Sequence, residues 1–76
     1  MKPWTLDEIK AWSLSPCPVS QQQDRKSVYL AAQRGGVTVT PINDKQVRVS
    51  CSPRIRNWAR ENAMWVDRLQ HTVMKR

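Results

Sequence analysis

The pattern of hydrophobic and polar residues predicts a short helix near the start of the chain. Apolar side chains including Ile9 and Trp12 recur at helical spacing through "LDEIKAW". The stretch "TLDE" before them places Thr5 as the N-cap and Glu8 at the third helical position, which is the pattern of a capping box. We therefore expect a helix over about residues 5–13, which the prolines of "SPCP" then end.

A second helix is predicted to follow this proline-rich break. Ser20 is placed to cap it, and Val28 and Ala31 form a thin apolar stripe along one side. Gly35 and Gly36 then stand where a helix ends in a left-handed residue. The sequence therefore predicts that this helix ends at the two glycines.

The middle of the chain has the alternating pattern of a β-hairpin. Residues 37–40 and 47–49 alternate valine with a polar residue, and Asn43-Asp44 between them is suited to a turn. Such a hairpin has valines on one face and Thr38, Thr40 and Arg48 on the other. Because an isolated hairpin is scarcely stable, helices are expected to cover the valine face.

The last third of the chain predicts one long helix. Ser52 can cap it, and Pro53 suits its first position because proline lacks the N–H that would have no partner there. A stripe at helical spacing follows, formed by Ile55, Trp58, Ala59, Trp65, Val66, Leu69 and Val73.

The expected fold is therefore a small α+β domain in the order α-α-β-β-α. A two-stranded antiparallel hairpin packs against the long C-terminal helix. Residues 1–19 form the first helix and its proline-rich break, and residues 20–76 form an α-β-β-α unit. We expect a single domain, since the chain is only 76 residues long.

The charge balance is the strongest clue to function. The chain has 13 Lys and Arg against 6 Asp and Glu, a net charge of +7. Such an excess favours nucleic acid, an anionic membrane surface or an acidic protein as the partner. No apolar run approaches the roughly 20 residues of a membrane span and no signal peptide is evident, so we expect a cytoplasmic protein without a membrane partner.

On the predicted C-terminal helix, Arg56 and Arg60 project away from the tryptophan stripe, and further basic residues lie along its flank. These basic residues mostly lack an acidic residue three or four positions away. They are therefore candidates for contacts with phosphates or with an acidic partner, together with two basic residues of the hairpin. A solubilising surface is the alternative interpretation. The candidates are Arg54, Arg56, Arg60, Arg68 and Lys75 on the helix, and Lys45 and Arg48 on the hairpin. Trp4, placed before the first cap, is a candidate exposed anchor for a partner.

Catalysis, a metal site and a cofactor are not expected. The acidic residues are scattered rather than paired, and no glycine-rich phosphate loop is present. One histidine and two cysteines fall short of the four ligands of a structural zinc site. In a reducing cytoplasm, Cys17 and Cys51 are expected to be free thiols.

The stretch from Leu30 to Leu69 resembles the tubulysin-type N-terminal docking domain of peptide and polyketide synthases. The similarity covers about residues 28–70 and consists of fold-making residues: Leu30, Gly36-Val37, Val47-Arg48-Val49, Ser52-Pro53, Arg60-Glu61 and Leu69. The resemblance implies a protein that docks a short segment of a partner by strand addition.

Two main hypotheses follow, and a third concerns assembly. The first is a non-enzymatic nucleic-acid-binding accessory or regulatory protein, for which a phage or mobile-element origin would fit the small size. The alternative is a docking or inhibitor module that recognises an acidic protein through the hairpin edge and the basic helix. The third is a homodimer formed through the tryptophan-bearing helix, since so small a core is helped by a second copy. Charge ranks nucleic acid first.

Overall fold

The computed structural model of the chain describes residues 2–62 and 71–76, with only the backbone of His71. Within these described residues, three helices and three strands follow one another in the order α-α-β-β-α-β. They are α1 (Leu6–Leu14), α2 (Val19–Gln33), β1 (Val37–Pro41), β2 (Gln46–Cys51), α3 (Pro53–Glu61) and β3 (His71–Lys75).

The predicted capping box of the first helix is present. The Glu8 N–H donates to Thr5 Oγ1 at 3.3 Å, and the Thr5 N–H donates to Glu8 Oε1 at 3.1 Å. Each residue thus provides an acceptor for a helix-terminal N–H that has no partner within the helix. Ile9 and Trp12 are buried, as the spacing predicted.

The second helix begins differently from the prediction. Its N-cap is Pro18 and no side chain caps it, so the assignment of Ser20 as the cap is wrong. The first turn forms through the Pro18 carbonyl, which accepts from the Gln21 N–H at 2.8 Å. The predicted end is confirmed: Gly35 and Gly36 follow the helix with φ of 80° and 97°.

The three strands form one antiparallel sheet in the order β1-β2-β3. Val39 faces Val49 across β1 and β2, and both side chains are fully buried together with Val47. The predicted hairpin and its buried valine face are therefore confirmed. Helices contribute the rest of the core through Ile9, Trp12, Val28, Ala31, Ile55 and Ala59, and β3 adds Met74.

The predicted long C-terminal helix is wrong, and with it the order α-α-β-β-α and the two-stranded sheet. Helix α3 ends at Glu61, with Asn62 as its C-cap. The Asn62 side-chain amide donates to the Trp58 carbonyl at 2.8 Å, a local bond of the kind that competes with helix continuation. Residues 71–75 instead pair with β2. Trp65, Val66 and Leu69 of the predicted stripe lie outside the described residues.

Gly36 allows the end of β1 to approach the start of α3 closely. A Cβ at this position would lie 2.6 Å from Ser52 Oγ and 2.7 Å from Ile55 Cγ1. Ser52 cannot turn away without cost, because its hydroxyl accepts from the Ile55 N–H at 3.4 Å and so caps α3. The close contact therefore requires a residue without a side chain.

Replacing Gly36 with alanine is expected to lower the free energy of unfolding by about 2–3 kcal/mol, because left-handed strain and overpacking add. Gly35→Ala is the matched control. Gly35 also has positive φ, but no atom lies within 4 Å of a Cβ added there. The free energy of unfolding should therefore fall by only about 1 kcal/mol. Urea unfolding of both variants measures the difference. Equal losses would show that the contact with α3 is not tight.

Candidate basic binding surface

The structure divides the predicted basic residues between separate elements. Arg54 and Arg60 are exposed on α3, and Arg56 on the same helix is half-buried. Lys75 lies on β3, so its assignment to a helix shared with the arginines is wrong. Lys45 precedes β2 and Arg48 is exposed within it. Arg68 lies outside the described residues.

One group of basic residues surrounds a shallow cavity between the end of α2 and the start of α3. This cavity, about 370 Å³ in volume, is lined by Gln33, Arg34, Arg54, Ile55 and Trp58. The Arg34 guanidinium carbon lies over the Trp58 ring, 4.5 Å from its centroid. We call it the Arg34–Arg54 cavity.

A second group surrounds a cavity at the tip of the hairpin, about 620 Å³ in volume. This tip cavity is lined by Asn43, Asp44, Lys45, Gln46, Lys75 and Arg76. The end of the chain is held there by two hydrogen bonds. The Arg76 N–H donates to the Lys45 carbonyl at 2.8 Å, and Arg76 Nη1 donates to the Asn43 carbonyl at 3.4 Å. Three cationic side chains therefore share one cavity with one acidic side chain, that of Asp44.

The two cavities lie at opposite ends of the sheet. The pair Val37–Cys51 closes the end near the Arg34–Arg54 cavity, and the pair Gln46–Lys75 lies at the tip. The five residue steps of β2 between these ends correspond to about 17 Å at the rise of an extended strand. Arg48 lies between the cavities on the sheet face opposite the valines, and its side chain is exposed.

Trp4, predicted as a candidate exposed anchor, is instead half-buried. Its ring centroid lies 5.9 Å from that of Trp12, and the Arg76 guanidinium carbon lies 5.4 Å from the Trp4 centroid. Its backbone N–H donates to the Val39 carbonyl at 2.7 Å. The N-terminal segment is thus attached to the outer edge of β1.

This attachment restricts where a partner strand can pair with the sheet. The Val39 carbonyl, on the outer edge of β1, is already occupied by Trp4. Pro41 at the end of the strand has no N–H to donate. On the opposite edge of the sheet, the Lys75 carbonyl accepts from Arg25 Nη2 at 3.1 Å. Both edges are therefore blocked in part by the chain itself.

The cysteines are free thiols, as expected, and both are half-buried. Burial raises the pKa of the Cys51 thiol to about 11, an effect that the nearby Arg56 guanidinium partly opposes. Cys51 is therefore a protonated thiol at neutral pH, and a protonated thiol is a poor nucleophile.

Two further findings concern the described part of the chain. Within residues 2–62 and 71–76, no group of three or more His, Cys, Asp or Glu side chains could hold a metal ion. None of the helices described there is long and apolar enough to cross a membrane.

Comparison with known proteins identifies no relative. A scan against protein-family models, a search of curated proteins and a search of solved structures each find no significant match to this chain. The resemblance to a docking domain therefore stays a prediction.

Two cationic residues of the cavities, Arg34 and Arg76, were not among the predicted site residues. Arg34 could have been found from the sequence, because the hairpin pairing brings the residues before β1 and after β2 to the same end of the sheet. Arg34 precedes β1 by three positions, and Arg54 follows β2 by three. Arg76 could not have been found in this way, because its position depends on β3, and the sequence pattern predicted a helix there.

Proposed function

We propose that this chain is a non-enzymatic basic protein that binds nucleic acid through phosphate contacts, in an accessory or regulatory role. The observation that carries the proposal is the grouping of exposed cations around the two cavities at opposite ends of the sheet. Arginine is suited to phosphate because its planar guanidinium donates two parallel hydrogen bonds to the phosphate oxygens. Lysine contributes a point charge.

The spacing of the cavities fits a contact with several phosphates. In duplex DNA each strand carries one phosphate per 3.4 Å of axis, so a separation of about 17 Å corresponds to roughly five nucleotides. Arg48, between the cavities, adds a cation along the same sheet. A backbone contact of this kind gives affinity without sequence preference.

The alternative, docking of an acidic protein by strand addition, has weaker support. Trp4 already occupies the Val39 carbonyl on the edge of β1. A partner strand pairing there would have to displace this segment, which packs against the core. An acidic protein could still contact the basic side chains without adding a strand.

The variant R54Q/K75Q, which removes one cation from each cavity, is expected to fold normally and to bind nucleic acid with a reduced dependence on salt. Removing one cation from a duplex phosphate lowers the slope of log K against log salt by about 0.9, so removing two lowers it by about 1.8. Both side chains are exposed, so the stability should change by less than about 0.5 kcal/mol per site. Fluorescence anisotropy titrations at four salt concentrations measure the slope.

The matched control is K10Q/K26Q, which removes the same charge from exposed positions of α1 and α2 outside the two cavities. Its slope should stay near that of the wild-type protein. An equal fall in both variants would show that total charge alone governs binding. Absence of binding to duplex and single strand at low salt would end the proposal. A protein partner retained in a pull-down after nuclease treatment would favour the alternative.

A further inference from the structure

We infer that the Arg34–Arg54 cavity receives one unpaired base of a single-stranded nucleic acid, stacked on the Arg34 guanidinium where it lies over Trp58. The inference rests on the proposed function and specifies which form of nucleic acid this site takes. Bases stack on aromatic rings and on the planes of arginine side chains. A guanidinium that already lies over an indole offers such a plane at the mouth of a cavity.

Both parts of this platform are held by the fold. Arg34 is the C-cap of α2, and its N–H donates to the carbonyls of Ala31 and Ala32. Trp58 is half-buried and packs against the core from α3. These contacts fix the Arg34 backbone and the Trp58 ring, and the guanidinium is placed by its contact with that ring. This arrangement before a ligand arrives reduces the entropy lost on binding.

The remaining lining residues suit the other parts of a nucleotide. Arg54 is exposed at the cavity and can contact a phosphate adjoining the base. Gln33 Nε2 donates to the Tyr29 hydroxyl at 3.0 Å, and this bond fixes the orientation of the Gln33 side-chain amide. Its carbonyl oxygen can accept a hydrogen bond from a base edge. Buried Ile55 provides an apolar surface within the same cavity.

The tip cavity does not itself include such a platform: its Arg76 lies over the Trp4 ring, 5.4 Å from the centroid, but Trp4 does not line this cavity. All six of its lining residues are polar or charged, and none is aromatic. It can contact phosphates of either a single strand or a duplex. Bases within a duplex are stacked on one another and cannot enter the Arg34–Arg54 cavity. The two cavities should therefore respond differently to the form of the nucleic acid.

The test is Arg34→Lys, which keeps the charge but removes the planar group. Anisotropy titrations use a labelled 12-nucleotide single strand and the 12-base-pair duplex of the same sequence, each at several salt concentrations. The variant is expected to bind the single strand about 5- to 150-fold more weakly, the reduction that removal of one base-stacking interaction causes. Duplex affinity and both salt slopes should stay unchanged.

The matched control is Arg60→Lys, the same substitution at an exposed site outside the cavity lining. It should leave both affinities unchanged. Unchanged single-strand affinity of Arg34→Lys, or an equal loss for single strand and duplex, would overturn the inference while leaving the proposed function in place. If the wild-type protein binds neither oligonucleotide, the proposed function and the inference that rests on it are both overturned.

Discussion

Arg25→Met is expected to lower the free energy of unfolding by about 2–3 kcal/mol, because partly buried oxygen atoms lose a charged hydrogen-bond donor. Arg25 is only 2% exposed, although it carries a full charge. Methionine fills much of the same space but donates no hydrogen bond. The Lys75 carbonyl and the side-chain oxygens of Ser15 and Gln21 would lose this donor while partly buried, which is costly. The Trp12 carbonyl keeps the Ser15 hydroxyl as a donor.

The size of the effect follows from how many elements this one side chain joins. Arg25 Nη1 donates to the Trp12 carbonyl and to Ser15 Oγ, each at 3.0 Å. Nη2 donates to Gln21 Oε1 at 3.3 Å and to the Lys75 carbonyl at 3.1 Å. The guanidinium also lies 4.8 Å from the Trp12 ring centroid. It thereby connects α1, α2 and β3 through acceptors that are all uncharged.

Urea unfolding followed by tryptophan fluorescence measures this loss. Lys26→Met is the matched control, since Lys26 is the exposed neighbour on the same helix and should change stability by less than about 0.5 kcal/mol. Arg25→Lys should fall between the two, because a single ammonium cannot reach acceptors on both sides. A loss below about 1 kcal/mol for Arg25→Met would show that the network contributes no net stability.

Arg25 could not be recognised from the sequence, because nothing local distinguishes it. It stands in "QQQDRKS", a polar stretch that predicts a solvent-exposed side of α2. Its burial results from the end of α1 and the end of β3 meeting at the same position. Such a meeting depends on tertiary structure, which a helical period does not encode.

The features that the sequence did predict all depend on short-range chemistry. The Thr5–Glu8 capping box involves residues three positions apart, and the Ser52 hydroxyl caps α3 over the same distance. The positive φ of Gly35 and Gly36 is a property of single residues. The alternating valines specify one face of a strand, and that face is the core.

Of the candidate site, too, only the part that depends on short-range patterns could be predicted from the sequence. Arg54 follows a helix cap that is evident in the sequence, and the hairpin pairing would have added Arg34. The tip cavity needs Lys75 and Arg76 on a strand beside Gln46, whereas the predicted helix placed Lys75 beside the α3 arginines. The error therefore merged two separate basic groups into one.

Met74→Asp should be strongly destabilising, and Val73→Asp should be tolerated. In β3 the Met74 side chain is 8% exposed and lies opposite Val47, whereas Val73 is 46% exposed and lies opposite Arg48. A carboxyl at position 74 would enter the core without a partner, so the free energy of unfolding is expected to fall by about 4–5 kcal/mol. At position 73 the carboxyl would face an arginine across the strands. The free energy of unfolding should then fall by only about 1 kcal/mol, because aspartate has a low strand propensity.

The pair of variants distinguishes the strand from the helix that the sequence favoured. Helical spacing places Val73 four residues after Leu69 on the core-facing stripe, so a C-terminal helix would make Val73→Asp the damaging change and Met74→Asp the mild one. A strand alternates its side chains between two faces, and this reverses the order. Urea unfolding of both variants measures the two losses. A larger loss for Val73→Asp would contradict the third strand and the tip cavity that depends on it.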